Sequence, residues 1–282
     1  MEIYLSTTCI GQNPADLKDV LRTLKKVIIS GVELGSTHNP ENNYDFIRKM
    51  LGDVNILTHN FFPPKNNSFI LNLVSKDPRI AEESLRYIRD AIQFAASIGS
   101  KLYTFHPGFL SEPLQSSTNI SENFDFVFSG EVENYEDVYA RFIASVKEII
   151  KTSQQFRVPI AIETQGSYEK AGLLFMQSPE EYVRFYHDVS PQDIGLNFNL
   201  AHTYLAAKHF QFDLKRFINQ FKKHFRAVEL SDNDGVLDQH RPIQTGSFVF
   251  NYLSLLPDVP WILEYRNASV EEIERSIGLI KK

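Results

Sequence analysis

Residues 159–166 read PIAIETQG, an apolar run that stops on Glu163 and breaks at Gly166. Ile160, Ala161 and Ile162 do not alternate with polar residues, the pattern of a parallel strand covered on both faces. Working outward, the same plan recurs. Strands are expected at Glu2–Ser6, Gly31–Leu34, Val54–Thr58, Lys101–Phe105, Pro159–Ile162, Asp193–Phe198, Phe225–Leu230 and Trp261–Leu263. Helical patterns lie between them: Leu85, Ile88, Ile92 and Ala95 repeat at three and four, as do Phe142, Val146, Ile149 and Ile150. Ser178-Pro179-Glu180-Glu181 is a helix start, with a capping side chain, Pro in the first turn and acids facing the dipole. Eight strands alternating with helical segments, at roughly 35 residues per unit, predict an α/β fold of the (β/α)8 TIM-barrel type. A doubly wound sheet is the main rival, but no GxGxxG or P-loop appears, and the first strand is followed by a lone Gly11.

The chain has 282 residues, with 29 Lys and Arg against 35 Asp and Glu, a formal charge of −6. Apolar residues make up 43% and charged residues 23%, ordinary for a globular protein with a sizeable core. Such a balance provides no electrostatic footprint for sequence-independent binding to nucleic acid. No apolar run reaches the ~18 residues of a membrane span. The opening MEIYLSTTCIG lacks the basic and long apolar regions of a signal peptide. Cys9 is the only cysteine, which excludes an internal disulfide and a Cys-rich zinc knuckle and points to a reducing cytoplasm. With no repeat, low-complexity tract or linker, residues 1–282 are expected to form a single domain. Two connections are long, from Asn60 to about Ser75 and from Pro107 to about Asn134. Both follow strands on the face where barrels keep their chemistry, as surface insertions or as a substrate-covering lid.

The residues that close the strands are unusual in type. His59 ends ILTH, His106 follows LYTF, Glu163 ends IAIE, and Asn199 and His202 lie in IGLNFNLAHTYL. Glu229 lies in RAVELSDNDG, Glu264 follows WIL, and Asp238 and His240 follow in GVLDQHRPIQTG. Singly, a histidine is ordinarily structural, which is the reading for His38, His187, His209 and His224. A barrel, however, gathers the strand ends round one axis. Several carboxylates meeting there repel strongly at low dielectric unless a cation neutralises them, and a divalent ion with oxygen and imidazole ligands resolves the conflict.

These stretches resemble the xylose isomerase-like TIM barrel superfamily, which includes sugar phosphate isomerases and epimerases and also endonuclease IV. The resemblance is carried by THN and ILNLVSKDPRIAEESLRYIRDAIQFAASIGSKLYTFHPG, then AIET, GLNFNLAH, ELSDNDG with DQH, and ILE, in order along the chain. It implies that Glu163 and Glu264 are the glutamates that hold one divalent ion and exchange protons with substrate. It implies that His59 and His106 line the pocket or hold a metal, as in the nuclease. By the same resemblance, His202, Asp238 and His240 meet substrate or a second metal. Two positions depart from the family pattern: Asn199 stands where Asp is usual, and Glu229 where His is usual. Together they leave the charge unchanged and make the main ligand set all oxygen, namely Glu163, Asn199, Glu229 and Glu264. Hard ligands tilt the preference toward Mn²⁺ or Mg²⁺, although affinity order alone favours Zn²⁺.

The implied activity is that of a divalent-metal-dependent isomerase or epimerase acting on a sugar or sugar derivative by proton transfer between Glu163 and Glu264. Phe61, Phe62, Phe109 and Tyr103 are candidates for apolar walls, although aromatics near strand ends more often belong to the core. The alternatives are an endonuclease IV-like phosphodiesterase acting on DNA and a non-catalytic sugar-binding barrel. All but two of the nuclease's ligand positions are present, but both departures fall on one metal and the net charge disfavours a nucleic-acid partner. A small-molecule sugar is the expected partner, no membrane is involved, and no signature sets the oligomeric state.

Overall fold

The computed structural model describes residues 2–10, 15–65, 69–117 and 125–282. Eight parallel strands close into a barrel: β1 (Glu2–Ser6), β2 (Gly31–Leu34), β3 (Asn55–His59), β4 (Tyr103–Phe105), β7 (Ile160–Glu163), β8 (Gly195–Asn199), β9 (Phe225–Leu230) and β10 (Pro260–Leu263). They run round the wall in chain order, and Leu5 beside Leu263 closes the ring. Each expected strand is present, with ends displaced by at most two residues. This is the (β/α)8 TIM barrel. Gly11 and parts of both long connections, where surface insertions or a lid are expected, lie outside the described residues.

Strand geometry places the site. Tyr4, Leu57, Leu102, Ala161, Ala227 and Ile262 form a buried apolar cluster of their own within the ring. Side chains alternate along a strand, so the residues two positions on share its orientation: Ser6, His59, Thr104, Glu163, Glu229 and Glu264. Polar chemistry therefore sits directly on an apolar plug. Gly31 makes room for that plug, since a Cβ there would lie 2.0 Å from the Tyr4 ring. The intervening residues, among them Ile3, Leu5, Ile56, Ile160, Ile162, Leu196, Val228 and Leu263, belong to the larger core shared with the helices. Two apolar layers explain why the strands do not alternate in sequence.

The helices are α1 (Leu17–Leu24), α2 (Phe46–Leu51), α3 (Pro78–Ser97), α4 (Tyr135–Phe156), α5 (Pro179–Asp188), α6 (Leu200–Phe210), α7 (Leu214–Phe221) and α8 (Val270–Ile280). The regular alternation fails once. Between β9 and β10 the described chain makes only 3-10 turns, Phe248–Asn251 and Leu253–Leu255. Gly235, Pro242, Gly246 and Pro257 interrupt that stretch too often for an α-helix. The connection after β4 also holds an antiparallel hairpin, β5 (Pro113–Ser117) with β6 (Asp125–Phe128), which the sequence shows only as a segment without helical periodicity. Among the described residues no helix is long and apolar enough to cross a membrane.

Candidate functional site

All nine candidate residues meet at the carboxyl ends of the strands. Glu163, the last residue of β7, is buried at the middle of the group. Its Oε2 lies 3.4 Å from His59 Nε2 and 3.5 Å from His106 Nε2, with no hydrogen-bond partner of its own. Its Oε1 lies 3.1 Å from His202 Nδ1. From there a chain of polar contacts crosses the mouth: His202 Nε2 to Asp238 Oδ2 at 3.3 Å, His240 Nε2 to Asp238 Oδ1 at 3.2 Å, and His240 Nδ1 to Glu264 Oε2 at 3.2 Å.

The imidazoles are aimed by their outer nitrogens. His59 Nδ1 pairs with Thr104 Oγ1 at 2.7 Å. His202 Nδ1 lies 3.3 Å from the Thr164 carbonyl and His240 Nδ1 lies 3.1 Å from the Glu264 carbonyl. A carbonyl only accepts, so Nδ1 carries a proton in both rings; in the protonated rings Nε2–H donates to Asp238, and a metal at Nε2 would take the place of that proton. Orientation by an outer partner is what metal-ligating histidines show.

Asn199 is positioned differently. It caps α6, its Oδ1 accepting from the His202 backbone N–H at 3.1 Å. Its Nδ2 then donates to Glu163 Oε1 at 3.1 Å and to Glu229 Oε2 at 2.9 Å. A second amide, Asn197 Nδ2, donates to Glu229 Oε1. Asn197 and Glu33 escaped the sequence reading. Glu33, in β2, is fully buried, and neither carboxylate oxygen has a hydrogen-bond partner. An acid inside GVEL, a strand otherwise apolar on both faces, is the signal that could have found it.

Charge is divided accordingly. Burial pushes Glu33 and Glu229 well above the usual carboxylate range, and the neighbouring carboxylates, Glu264 beside Glu33 and Glu163 beside Glu229, push the same way. Burial opposes ionisation at Glu163 too, but His106, His202 and His59 outweigh it and hold its carboxyl below the usual range. His240 does the same for Glu264 against its burial. Burial disfavours charge on Asp238, yet His240 and His202 hold it well down. His202 and His240 are raised against their own burial by Asp238, with Glu163 and Glu264 helping, His240 to about 9. Burial lowers His106.

Four groups place one ligand atom from each member within 4.8 Å of the others: His59–His106–Glu163, His202–Asp238–His240, Glu33–His59–Glu229 and Glu163–Glu229–Glu264. The first two have a donor set of two imidazoles and one carboxylate, oriented as above, and these fit a divalent cation. The set Glu163, Asn199, Glu229 and Glu264 does not fit as it stands, because Asn199 turns an N–H donor rather than an oxygen toward the carboxylates. Of the aromatic candidates, Phe62 and Tyr103 take the core reading, being fully buried. Phe61 stacks on Tyr87 with centroids 4.4 Å apart, and Phe109 packs on Phe126 and Phe128 of the hairpin.

Two uncharacterised proteins of Methanocaldococcus jannaschii are similar to the chain. MJ1614 is 23% identical over 289 residues, covering 100% of this chain and 99% of its own length. MJ1311 is 23% identical over 215 residues, 75% of this chain, and the chain spans 66% of that relative's length. Among solved structures, a D-tagatose 3-epimerase-like protein superposes with a TM-score of 0.75 at 18% identity, over 100% of this chain and 96% of its own. An IOLI protein with a bound zinc atom gives 0.67 at 14%, over 100% and 95%. A family 2 AP endonuclease from Brucella melitensis gives 0.69 at 12%, over 100% and 98%. At these identities the superpositions establish the fold alone. Residues 21–282 match the family described as xylose isomerase-like TIM barrel, and the chain belongs to that family.

Proposed function

We propose that the protein is a divalent-metal-dependent isomerase or epimerase that moves a proton on a sugar or sugar derivative. The observation that carries this reading is the placement of Glu163 and Glu264. They stand at the ends of β7 and β10, on different parts of the ring, each held below the usual carboxylate range by its own histidines. Proton transfer between neighbouring carbons needs a base on one side of the substrate and an acid on the other. His59, His106 and Glu163 would hold one ion, and His202, Asp238 and His240 a second. Bound there, a divalent ion supplies Lewis acidity for the substrate oxygen beside the reacting carbon.

The chain's own residues do the rest. Glu264 belongs to neither three-residue set and His240 keeps its carboxylate ionised, so it is the group free to take a proton from carbon. Glu163, its Oε1 held by the Asn199 amide, would deliver a different proton to the other face, one it must first take up from solvent, so that Glu264 ends protonated and Glu163 ionised until both exchange with solvent. The apolar plug beneath closes the bottom of the mouth to water.

Candidate aldoses, ketoses and their phosphates incubated in D₂O test this. Solvent deuterium enters the substrate only with metal present, and Glu163→Gln or Glu264→Gln slows its entry by about 100-fold or more. Undiminished exchange in Glu264→Gln rejects the proton transfer. The two imidazole-rich sets favour a second reading, metal-dependent hydrolysis of a phosphodiester. Chelator-sensitive cleavage of an abasic-site oligonucleotide, with no deuterium exchange on any sugar, selects it.

A further inference from the structure

Family resemblance puts an ion at the centre of the mouth, on Glu163, position 199, position 229 and Glu264. In this chain an amide N–H rather than a ligand oxygen faces that place from position 199, although one oxygen each of Glu163, Glu229 and Glu264 lies within 4.8 Å of the others. The orientation of Asn199 is set by a backbone donor: the His202 N–H, 3.1 Å away, is accepted by Oδ1 because an amide nitrogen has no lone pair to offer. Nδ2 is thereby fixed toward the carboxylates and bonds Glu163 Oε1 and Glu229 Oε2. Asn197 Nδ2 takes the other oxygen of Glu229. Both oxygens of Glu229 and one of Glu163 are thus already committed to N–H donors, in a cluster whose members are 0–1% exposed. Reversing the Asn199 amide to present oxygen inward would aim its NH₂ at the His202 N–H and undo the cap of α6.

The flanking sets are built the other way. Glu163 Oε2 has no hydrogen-bond donor, and the Nε2 atoms face Glu163 from His59 and Asp238 from His202 and His240. Their Nδ1 atoms meet Thr104 Oγ1, the Thr164 carbonyl and the Glu264 carbonyl, those of His202 and His240 also lying 3.1 and 3.2 Å from Glu163 Oε1 and Glu264 Oε2. We infer that the Asn199–Asn197 amide clasp closes the centre of the mouth to divalent ions, so that ions seat only on the two flanking sets. This rests on the metal dependence proposed above and specifies where that metal goes. Loss of the Asp normally found at position 199 is then a change of architecture. An amide bridge replaces the central cation and still ties β7, β8 and β9 together.

Metal-free protein dialysed against ZnCl₂ and then analysed for zinc, with X-ray absorption of the loaded sample, tests the inference. The expected result is two ions per chain, each with imidazole in its first shell. His59→Ala and His202→Ala each lose one ion. Asn199→Asp, which keeps a capping side chain, gains a third. A wild-type ion with an all-oxygen shell, or one lost specifically in Glu229→Gln, overturns the closure, as does an Asn199→Asp protein that stays at two. The wild-type spectrum decides the matter even where a variant does not fold. Two flanking ions without proton exchange on any sugar uphold the closure and reject the isomerase reading. A central ion with such exchange does the reverse, and a protein that binds no zinc overturns both.

Discussion

Asn199 links three levels of the molecule through one amide, capping a helix with its oxygen and bridging two carboxylates with its nitrogen. Burial raises Glu33 and Glu229 alike, Glu229 in spite of its two amide partners. His38 shows the same physics away from the mouth. It is buried, with Nε2 2.7 Å from Thr7 Oγ1, and burial lowers it from 6.5 to about 4. The sign follows from linkage. Below pH 6.5 the unfolded chain takes up a proton that the folded chain refuses until about pH 4, so this contribution is complete above 6.5 and is lost as pH falls. The full span is worth on the order of 3 kcal/mol. Urea unfolding of wild type and His38→Gln between pH 7.5 and 4 should show the variant losing less stability. Parallel curves would remove His38 as a source.

Elements reach the mouth with little freedom to move. Gly166, three residues beyond Glu163, passes against the first turn of α6, and a Cβ there would lie 1.9 Å from the His202 carbonyl oxygen. That oxygen belongs to backbone and cannot swing aside. Gly166→Ala is expected to push the start of α6 away from β7, carrying Asn199 and His202 with it. The cost is about 2–4 kcal/mol in stability, with activity falling more steeply than the folded fraction. Thermal unfolding and zinc affinity measured together check this: a variant with wild-type values for both would mean the turn relaxes elsewhere. Capping side chains were the most legible local feature. The Ser-Pro-Glu-Glu start does open α5 at Pro179, where Glu181 Oε2 also accepts the Ser178 N–H at 2.7 Å.

For the molecule as a whole, the mouth gathers five acids (Glu33, Glu163, Glu229, Asp238 and Glu264) with four histidines, and without a cation His202 and His240 bear compensating charge. His202 and His240 are raised for that reason. A metal must displace those protons, so its binding should strengthen as pH rises from 6 toward 9 and should release protons. At free zinc 100 times Kd the loaded protein gains about 2.7 kcal/mol over the chelated one. Scanning calorimetry with and without EDTA should therefore show a larger Tm gap at pH 8.5 than at pH 6. Calorimetric titration in two buffers of different ionisation enthalpy should record the protons. A Tm gap that is the same at both pH values would show that His202 and His240 are not ligands.

The barrel was readable from linear information because it rests on short-range rules. Apolar runs of strand length, their spacing and their capping signals each follow from neighbouring residues. His59, Glu163 and Glu264 stood out for the same reason, as polar residues ending apolar runs. Glu33 and Asn197 did not, since each lies within a strand and gains meaning only from what faces it across the ring. The roles of the amides at 197 and 199 were equally out of reach. Whether Asn199 offers oxygen or nitrogen to its neighbours is settled by the His202 N–H, and whether Glu229 is free or clasped by two strands brought side by side. Hydrogen-bond direction in a buried cluster depends on every partner at once, and that set of partners exists only after the ring has closed.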